Sequence, residues 1–241
     1  MTDETNMEAT AAEMPPEDLH PLPPFHRRLM DVFFNPGRLA RALKEHPAWG
    51  LAMLVGTLLV ALQLGLIPGD VWSEVQRQAI LRSGREMPEV PAAMQTFMRW
   101  STPVFGTIAI PIMEFIFAGF VTLVFAFVMG DDGRYRQYLA ILAHAWIIPG
   151  VVELLVLPLK IAQKNPQLTV SLGSFFVFLP EGYFLRVLNM MALSQIWAWL
   201  VVAAGVHAID PKRKYATAAT VLIGLNLAMA MIIAIFTPAT S

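Results

Sequence analysis

Two carboxylates and one amide lie within stretches of the sequence that are otherwise strongly apolar: Glu114, Glu153 and Gln195. A carboxylate near the centre of a bilayer costs about 2.5–3.5 kcal/mol on insertion scales, so it is expected to be protonated, paired or facing a wet cavity. If the three stretches cross a membrane as antiparallel spans, each residue lies roughly nine or ten residues from the outer end of its span, which predicts similar depths in the membrane. The three side chains could therefore form one polar cluster.

Such a cluster has two interpretations. The functional one is a proton or cation relay, or a polar substrate site, between neighbouring helices. The structural one is a protonated carboxyl group that hydrogen-bonds a neighbouring amide or carbonyl and holds helices together with roughly 0.6–2 kcal/mol. No substrate-binding pattern accompanies these residues in the sequence, which favours the structural interpretation.

The remaining polar residues do not form a catalytic or metal-binding pattern. His144 is predicted to be a neutral hydrogen-bonding group between helices, because no carboxylate or second histidine follows it at helical spacing. The chain contains no cysteine, and its five histidines include no pair at ligand spacing. Walker A, GxSxG, HExxH and dinucleotide-binding motifs are also absent. We therefore expect no catalytic residue, metal or cofactor, and a protein that is not an enzyme.

Composition places the chain among integral membrane proteins. Hydrophobic residues make up 56% of the sequence and charged residues 15%, against roughly 45–50% and about 25% in soluble domains. The formal net charge is -1, which gives no basic field for nucleic acid. Nucleic acid is therefore not an expected partner.

Five apolar stretches are long enough to cross a bilayer, since about 19 helical residues span the roughly 30 Å of its hydrocarbon core. The predicted fold is an all-α, polytopic transmembrane helical bundle, with its third span kinked or broken by Pro149 and Pro158. The five predicted spans are Trp49–Ile67, Val104–Met129, Tyr138–Ile161, Val187–Ile209 and Ala216–Phe236.

The five-span domain comprises residues 48–236, and the segments outside it have distinct compositions. Residues 1–24 are acidic and proline-rich, which predicts a disordered tail, and residues 237–241 form a short C-terminal tail. Residues 25–47 are basic and amphipathic, and the pattern breaks at Asn35-Pro36, which predicts an interfacial amphipathic helix on the membrane surface. The basic residues predicted at the membrane surface are Arg27, Arg28, Arg38, Arg41, Lys44, Lys212, Arg213 and Lys214.

The distribution of basic residues predicts the orientation. The N-terminal segment and the two short turns around residues 130–137 and 210–215 hold ten basic residues, and the two other loops hold seven. Basic residues concentrate in short cytoplasmic segments. We therefore expect the N-terminus in the cytoplasm and the C-terminus on the opposite side.

Three blocks of sequence, in this order, resemble the Yip1-domain family of multi-pass membrane proteins, in particular its prokaryotic members. The first is VFFNPGRLARALKEHPAWGLAML, from Val32 to Leu54, and the second is YRQYLAILAHAWIIPG, from Tyr135 to Gly150. The third is SLGSFF, followed by LNMMALSQIWAWLVVAAGVHAI and the basic KRKYA. The three blocks are similar to family motifs as a set, and none of them is a catalytic signature.

The resemblance implies a five-span bundle with a cytoplasmic N-terminus in the cell inner membrane. Eukaryotic relatives are associated with Rab-type GTPases and vesicle traffic, but their tyrosine- and proline-rich motifs are not evident here, so we do not carry over a GTPase partner. The first functional hypothesis is a non-enzymatic protein that organises membrane or recruits partners, and the alternative is a small transporter or channel using intramembrane carboxylates. The expected partners are the lipid bilayer and unidentified membrane or cytoplasmic proteins, with a homo-oligomer left open.

Overall fold

Helices form the regular structure of the part of the chain that the computed structural model describes, which comprises residues 22–72, 77, 92–176 and 178–237. Most of the predicted disordered tail, most of the loop after the first span and residues 238–241 lie outside these residues. A π-helical turn at Leu123–Val128 extends the fourth helix, and a 3₁₀ turn covers Leu172–Phe175. The helices are α1 (Phe25–Phe34), α2 (Pro36–Glu45), α3 (Gly50–Leu66), α4 (Ala92–Thr122), α5 (Tyr135–Ala145), α6 (Ile147–Ala162), α7 (Tyr183–Met190), α8 (Leu193–Ile209) and α9 (Tyr215–Phe236).

Helix length and hydropathy identify the chain as a membrane protein. Three helical stretches are long and apolar enough to cross a bilayer: Val104–Val128, Tyr135–Ala162 and Tyr215–Phe236. Two further apolar helices, α3 and α8, have 17 residues each. At 1.5 Å per residue these reach about 25 Å, the lower limit for a span. The all-α class is therefore confirmed, and the count of five spans stays a prediction.

The α8 helix is the centre of the bundle, because it packs against α2, α5, α6 and α9. It packs closely on α5 at Gly205, where an added Cβ would lie 2.4 Å from Cγ2 of Ile141. A larger side chain at this position would require the Ile141 side chain or the two helices to shift. The glycine of the third sequence block therefore sets a helix-to-helix distance.

The α9 helix lies at the periphery of this single chain. It packs against α7 and α8, and its large apolar side chains such as Ile232, Ile235 and Phe236 are exposed. In a water-soluble protein so much exposed apolar surface would be unstable, whereas lipid solvates it without cost. The exposed face of α9 is therefore a surface for lipid or for another helix.

The N-terminal segment folds into a helical hairpin that packs on the bundle. Asn35 separates α1 from α2, as the Asn35-Pro36 pair predicts, and Pro36 takes the first helical position, where its missing N–H is not needed. Leu39 and Leu43 are almost completely buried and belong to the same core cluster as Val202 of α8. The apolar face that we expected to contact the membrane surface thus contacts protein instead.

The third predicted span is interrupted one turn before Pro149. α5 ends at Ala145 and α6 begins at Ile147, so Trp146 is the junction between them. Pro149 has no N–H with which to continue the backbone hydrogen bonds of the helix, which explains the break at this point. The predicted break is confirmed here, whereas Pro158 lies inside α6 without ending it.

The predicted continuous fourth span, Val187–Ile209, is wrong. α7 ends at Met190 and α8 begins at Leu193, and between them Ala192 forms an isolated antiparallel bridge with Ser171. Backbone groups of the loop replace the hydrogen-bond partners that a continuous helix would provide. Leu172 N donates to Met191 O at 2.9 Å, and Leu193 N donates to Val170 O at 2.9 Å. The apolar pattern continues through the break, so the sequence alone does not reveal it.

Gly173 is what allows the loop to approach the break so closely. A Cβ built on Gly173 would lie 2.0 Å from Asn189 Oδ1 and 2.9 Å from the Asn189 backbone nitrogen. The second atom belongs to the helix backbone, which cannot rotate away. The Ser-Leu-Gly loop of the third sequence block is therefore a packing motif.

We predict that Gly173→Ala lowers the thermal stability of the detergent-solubilised chain, because the added methyl group separates the loop from α7. The control is Gly224→Ala in α9, where a Cβ would meet nothing within 4 Å and where alanine is favoured over glycine by about 0.5–1 kcal/mol. Thermal unfolding followed by tryptophan fluorescence measures both variants. An unchanged midpoint for Gly173→Ala would show that the loop is not tightly packed.

Candidate functional site

The two short turns at one end of the bundle are joined by a buried ion pair. Arg213 Nη2 donates to Asp131 Oδ1 at 2.6 Å, and Arg213 Nε donates to the same oxygen at 3.0 Å. Arg213 Nη2 also donates to the carbonyl oxygen of Met129 at 2.9 Å, and the Asp131 side chain is only 2% exposed. The hydrogen bond with Asp131 raises the pKa of Arg213. The pair fixes the turn after α4 to the turn before α9.

Asp210 adds backbone hydrogen bonds to the same junction. Its carboxylate accepts from Lys212 N at 2.9 Å and from Asp132 N at 3.4 Å. The Lys212 N–H, followed by smaller contributions, holds the pKa of Asp210 below its usual value. The ion pair between Lys212 Nζ and Asp132, at 3.5 Å, joins side chains that are more than 80% exposed and contributes little.

The three basic residues of the second turn thus differ in environment. Arg213 is held inside the junction, and Lys212 and Lys214 are exposed. All three were predicted to be equivalent basic residues at the membrane surface. The difference arises because only Arg213 lies next to the buried Asp131 carboxylate, which is contributed by a distant turn.

Two further sets of contacts act on the N-terminal hairpin: one joins its two helices, and the other connects it to this end of the bundle. Arg38 Nε donates to Asp31 Oδ2 at 2.9 Å, and a second contact joins Arg38 Nη2 to Asp31 Oδ1. This bidentate pair connects α2 to α1 across Asn35. Gln137 at the start of α5 donates to the Lys44 carbonyl oxygen at 2.8 Å and connects α2 to the bundle.

Arg28, which was expected at the membrane surface, is buried, with 7% of its surface exposed. Its Nη1 lies 3.3 Å from His144 Nε2 and donates to Ala48 O at 3.4 Å, and the guanidinium stacks on Phe25 at 5.1 Å. Burial lowers the pKa of Arg28, although an arginine stays protonated. Among the predicted basic residues, Arg27 and Arg41 are exposed and Lys44 is half-buried.

The contact with Arg28 defines the tautomer of His144, which is fully buried in α5. A guanidinium can only donate, so Nε2 of His144 must accept. Nδ1 then carries the proton and donates to Ala140 O at 2.7 Å. His144 is therefore a neutral imidazole that joins α1 to α5.

Glu114 is buried between α4 and α3. Its surface is 1% exposed, and a Cβ built on Gly56 would lie 3.6 Å from Oε1. Within the described residues neither carboxyl oxygen has a hydrogen-bond partner. Buried polar atoms without partners are uncommon in proteins, which makes Glu114 the candidate for intramembrane chemistry.

Glu153 has a different environment. Its Oε2 lies 2.6 Å from Lys160 Nζ, and its Oε1 accepts a hydrogen bond from the Thr169 hydroxyl at 2.5 Å. The side chain of Lys160 is 5% exposed and that of Glu153 is 18% exposed. These contacts hold the loop after α6 against the helix and neutralise both charges.

The three polar residues predicted to share a site are thus placed in separate surroundings. Glu114 faces α3, Glu153 faces Lys160 and the loop, and Gln195 is half-buried in the first turn of α8 after the helix break. Within the described part of the chain, no hydrogen bond or ion pair joins any two of the three side chains.

Polar contacts around the helix break form a feature that the sequence interpretation missed. Asn226 of α9 accepts from Trp199 Nε1 at 3.3 Å and donates to Met191 Sδ at 3.2 Å, next to the break. Ser171 Oγ lies 3.4 Å from Asn189 Oδ1 on the other side. In the sequence, the signal for these contacts is the recurrence of small polar residues in an apolar loop and in the helices beside it.

Comparison with known proteins gives one family. The sequence model of the family described as Yip1 domain matches residues 30–235, which is most of the chain. The match extends from the N-terminal hairpin to the last turn of α9 and so includes the junction, the helix break and Glu114. No curated protein and no solved structure matches the chain.

We predict that Asp131→Asn lowers the free energy of unfolding by about 1.5–3 kcal/mol, the contribution of hydrogen bonds to a charged group. The neighbouring Asp132→Asn is the matched control and should change it by less than about 0.5 kcal/mol, because its ion pair is exposed. Denaturant unfolding of the solubilised chain measures both. Equal effects of the two substitutions would contradict the structural role of the Asp131–Arg213 pair.

Proposed function

The chain belongs to the Yip1 domain family, and from that premise we propose that it is a non-enzymatic multi-pass membrane protein that recruits partners through one end of its bundle. We define this end, the junction face, as the exposed surface of the N-terminal hairpin and the two short turns. Its partners would be membrane or cytoplasmic proteins, or further copies of the chain. Organisation of the membrane itself would follow from such assemblies.

The observation that carries this proposal is the set of ion pairs and hydrogen bonds that connect the segments of the junction face. The Asp131–Arg213 pair joins the two turns, the Asp31–Arg38 pair joins α1 to α2, and Gln137 joins α2 to α5. Segments that are far apart in sequence are thereby held in one arrangement. A surface that is ordered before binding loses little conformational entropy when a partner docks.

The orientation of this surface follows from its charge. The hairpin and the two turns carry ten of the seventeen basic residues, which favours a cytoplasmic location. We therefore place the junction face in the cytoplasm, the C-terminus on the opposite side, and the protein in the cell inner membrane. Exposed charges such as Arg136 and Lys214 are available to a partner there.

A second candidate function is a small transporter or channel. It is favoured by the buried Glu114 carboxyl group, which lacks a hydrogen-bond partner among the described residues. The break between α7 and α8 adds to it, because discontinuous helices form ion and substrate sites in transporters. Against it, the Glu153 carboxylate is already neutralised by Lys160, so the predicted carboxylate relay lacks one member.

We predict that charge reversal at the junction face, Arg136→Glu with Lys214→Glu, removes a near-stoichiometric partner that copurifies with the tagged chain in mild detergent. Mass spectrometry identifies and quantifies the partner. Lys164→Glu is the control, because its side chain is 62% exposed and lies in the loop after α6, at the other end of that helix from α5. Deleting α1 and α2 would be a poor test, since Leu39 and Leu43 belong to the core. Retention of every partner by the doubly reversed variant would contradict the proposal.

We further predict that the purified chain in sealed vesicles does not dissipate a pH gradient faster than protein-free vesicles, and that Glu114→Gln changes nothing. A pH-sensitive dye inside the vesicles measures the decay. Flux through the wild-type chain that Glu114→Gln abolishes, with thermal unfolding unchanged, would establish the transporter or channel and reject the partner-recruiting proposal.

A further inference from the structure

A groove of about 620 Å³ lies between the start of α1 and the outer face of α2. Its walls combine prolines and aliphatic side chains with three arginines, and the arginines come from both helices of the hairpin. The groove is thus a basic surface that also carries apolar side chains. Its lining residues are Leu22, Pro23, Pro24, Arg27, Arg38, Arg41 and Ala42.

The three arginines leave positive charge in this groove. Arg38 is held by the bidentate pair with Asp31, which neutralises it and fixes its position. Arg27 and Arg41 are exposed, and the described part of the chain provides neither of them with a hydrogen bond or an ion pair. A guanidinium group binds phosphate through two parallel hydrogen bonds, so the two arginines that line the groove without a partner among the described residues suit a phosphate anion.

Exposed apolar side chains on the same face of α1 as Arg27 indicate where that phosphate comes from. Met30 is 61% exposed and Phe34 is 81% exposed, and they follow Arg27 at three and seven residues on α1. These spacings place the three side chains on one face of the helix. A stripe of exposed apolar side chains that begins at an arginine is typical of a helix inserted in the membrane interface, with the arginine at headgroup level.

We propose that this groove binds the phosphate of an anionic phospholipid headgroup, with Arg27 and Arg41 as phosphate ligands and with Met30 and Phe34 against the acyl chains. Arg38 shapes the groove through its pair with the buried Asp31. The groove lies on the hairpin part of the junction face, and the proposed lipid binding goes beyond the recruitment of partners and does not depend on it. A bound lipid would also anchor the N-terminal hairpin at the membrane surface.

The test measures lipid retention by the purified full-length chain after extraction from vesicles of phosphatidylglycerol and phosphatidylcholine. Native mass spectrometry counts each lipid on the protein. The wild-type chain should retain phosphatidylglycerol in preference to phosphatidylcholine. Arg27→Gln and Arg41→Gln should each lower phosphatidylglycerol retention about fivefold, the factor expected for one basic residue near an anionic headgroup, and should leave phosphatidylcholine retention unchanged.

Arg136→Gln is the matched control, because it removes the same charge from an exposed arginine on α5, outside the groove. Phe34→Ala separates a lipid from a free phosphate: it should weaken phosphatidylglycerol retention, whereas binding of inorganic phosphate would not depend on it. Equal retention of both lipids by the wild-type chain would overturn the proposal. An equal loss of phosphatidylglycerol retention in Arg136→Gln would also overturn it. The same holds if inorganic phosphate displaces the lipid and Phe34→Ala leaves phosphatidylglycerol retention unchanged.

Discussion

At the break between α7 and α8, another part of the chain supplies the backbone hydrogen bonds that lipid cannot supply. In the hydrocarbon region no water is available for an unpaired N–H or C=O group, so irregular backbone must be satisfied by protein. The break between α7 and α8 obeys this rule, because Val170 and Leu172 of the loop bond the backbone on either side of Ala192. The loop cannot move away without exposing these groups, which makes it part of the bundle.

The same constraint governs the buried charges. Arg28, Asp31, Asp131 and Lys160 are all buried, and each lies against a group of opposite charge or against a hydrogen-bonding side chain. A buried charge that loses its partner is strongly destabilising, so such pairs hold the arrangement in which they form. Arg28 thereby joins the hairpin to α5, and Asp131 joins the two turns to each other. The exposed charges, such as Lys212 and Lys214, carry no comparable constraint.

The sequence predicts those features that depend on local composition. The long apolar stretches, the break at Asn35-Pro36 and the interruption before Pro149 each follow from residues that are neighbours in the chain. Features that depend on contacts between distant residues could not be predicted from local composition. Val187–Ile209 is apolar throughout, and its break depends on Ser171 and Gly173. Likewise, Arg213 differs from its neighbours only because Asp131, far away in sequence, lies beside it. The common depth predicted for Glu114, Glu153 and Gln195 came from helix length alone and carried no information on which faces the side chains occupy.

The distribution of polar contacts also bears on what kind of protein this is. A transporter needs polar groups that can exchange partners with a substrate, whereas several polar groups in the described part of this bundle already have a structural partner. Glu153 is bound to Lys160 and Thr169, Asn226 to Trp199 and Met191, and His144 to Arg28 and Ala140. Glu114 is the acidic side chain that departs from this pattern among the described residues. Exposed charges such as Arg136 and Lys214 lie at one end of the bundle, on a surface supported by the Asp131–Arg213 pair and the Gln137 contact. This contrast is the reason for proposing recruitment of partners rather than transport.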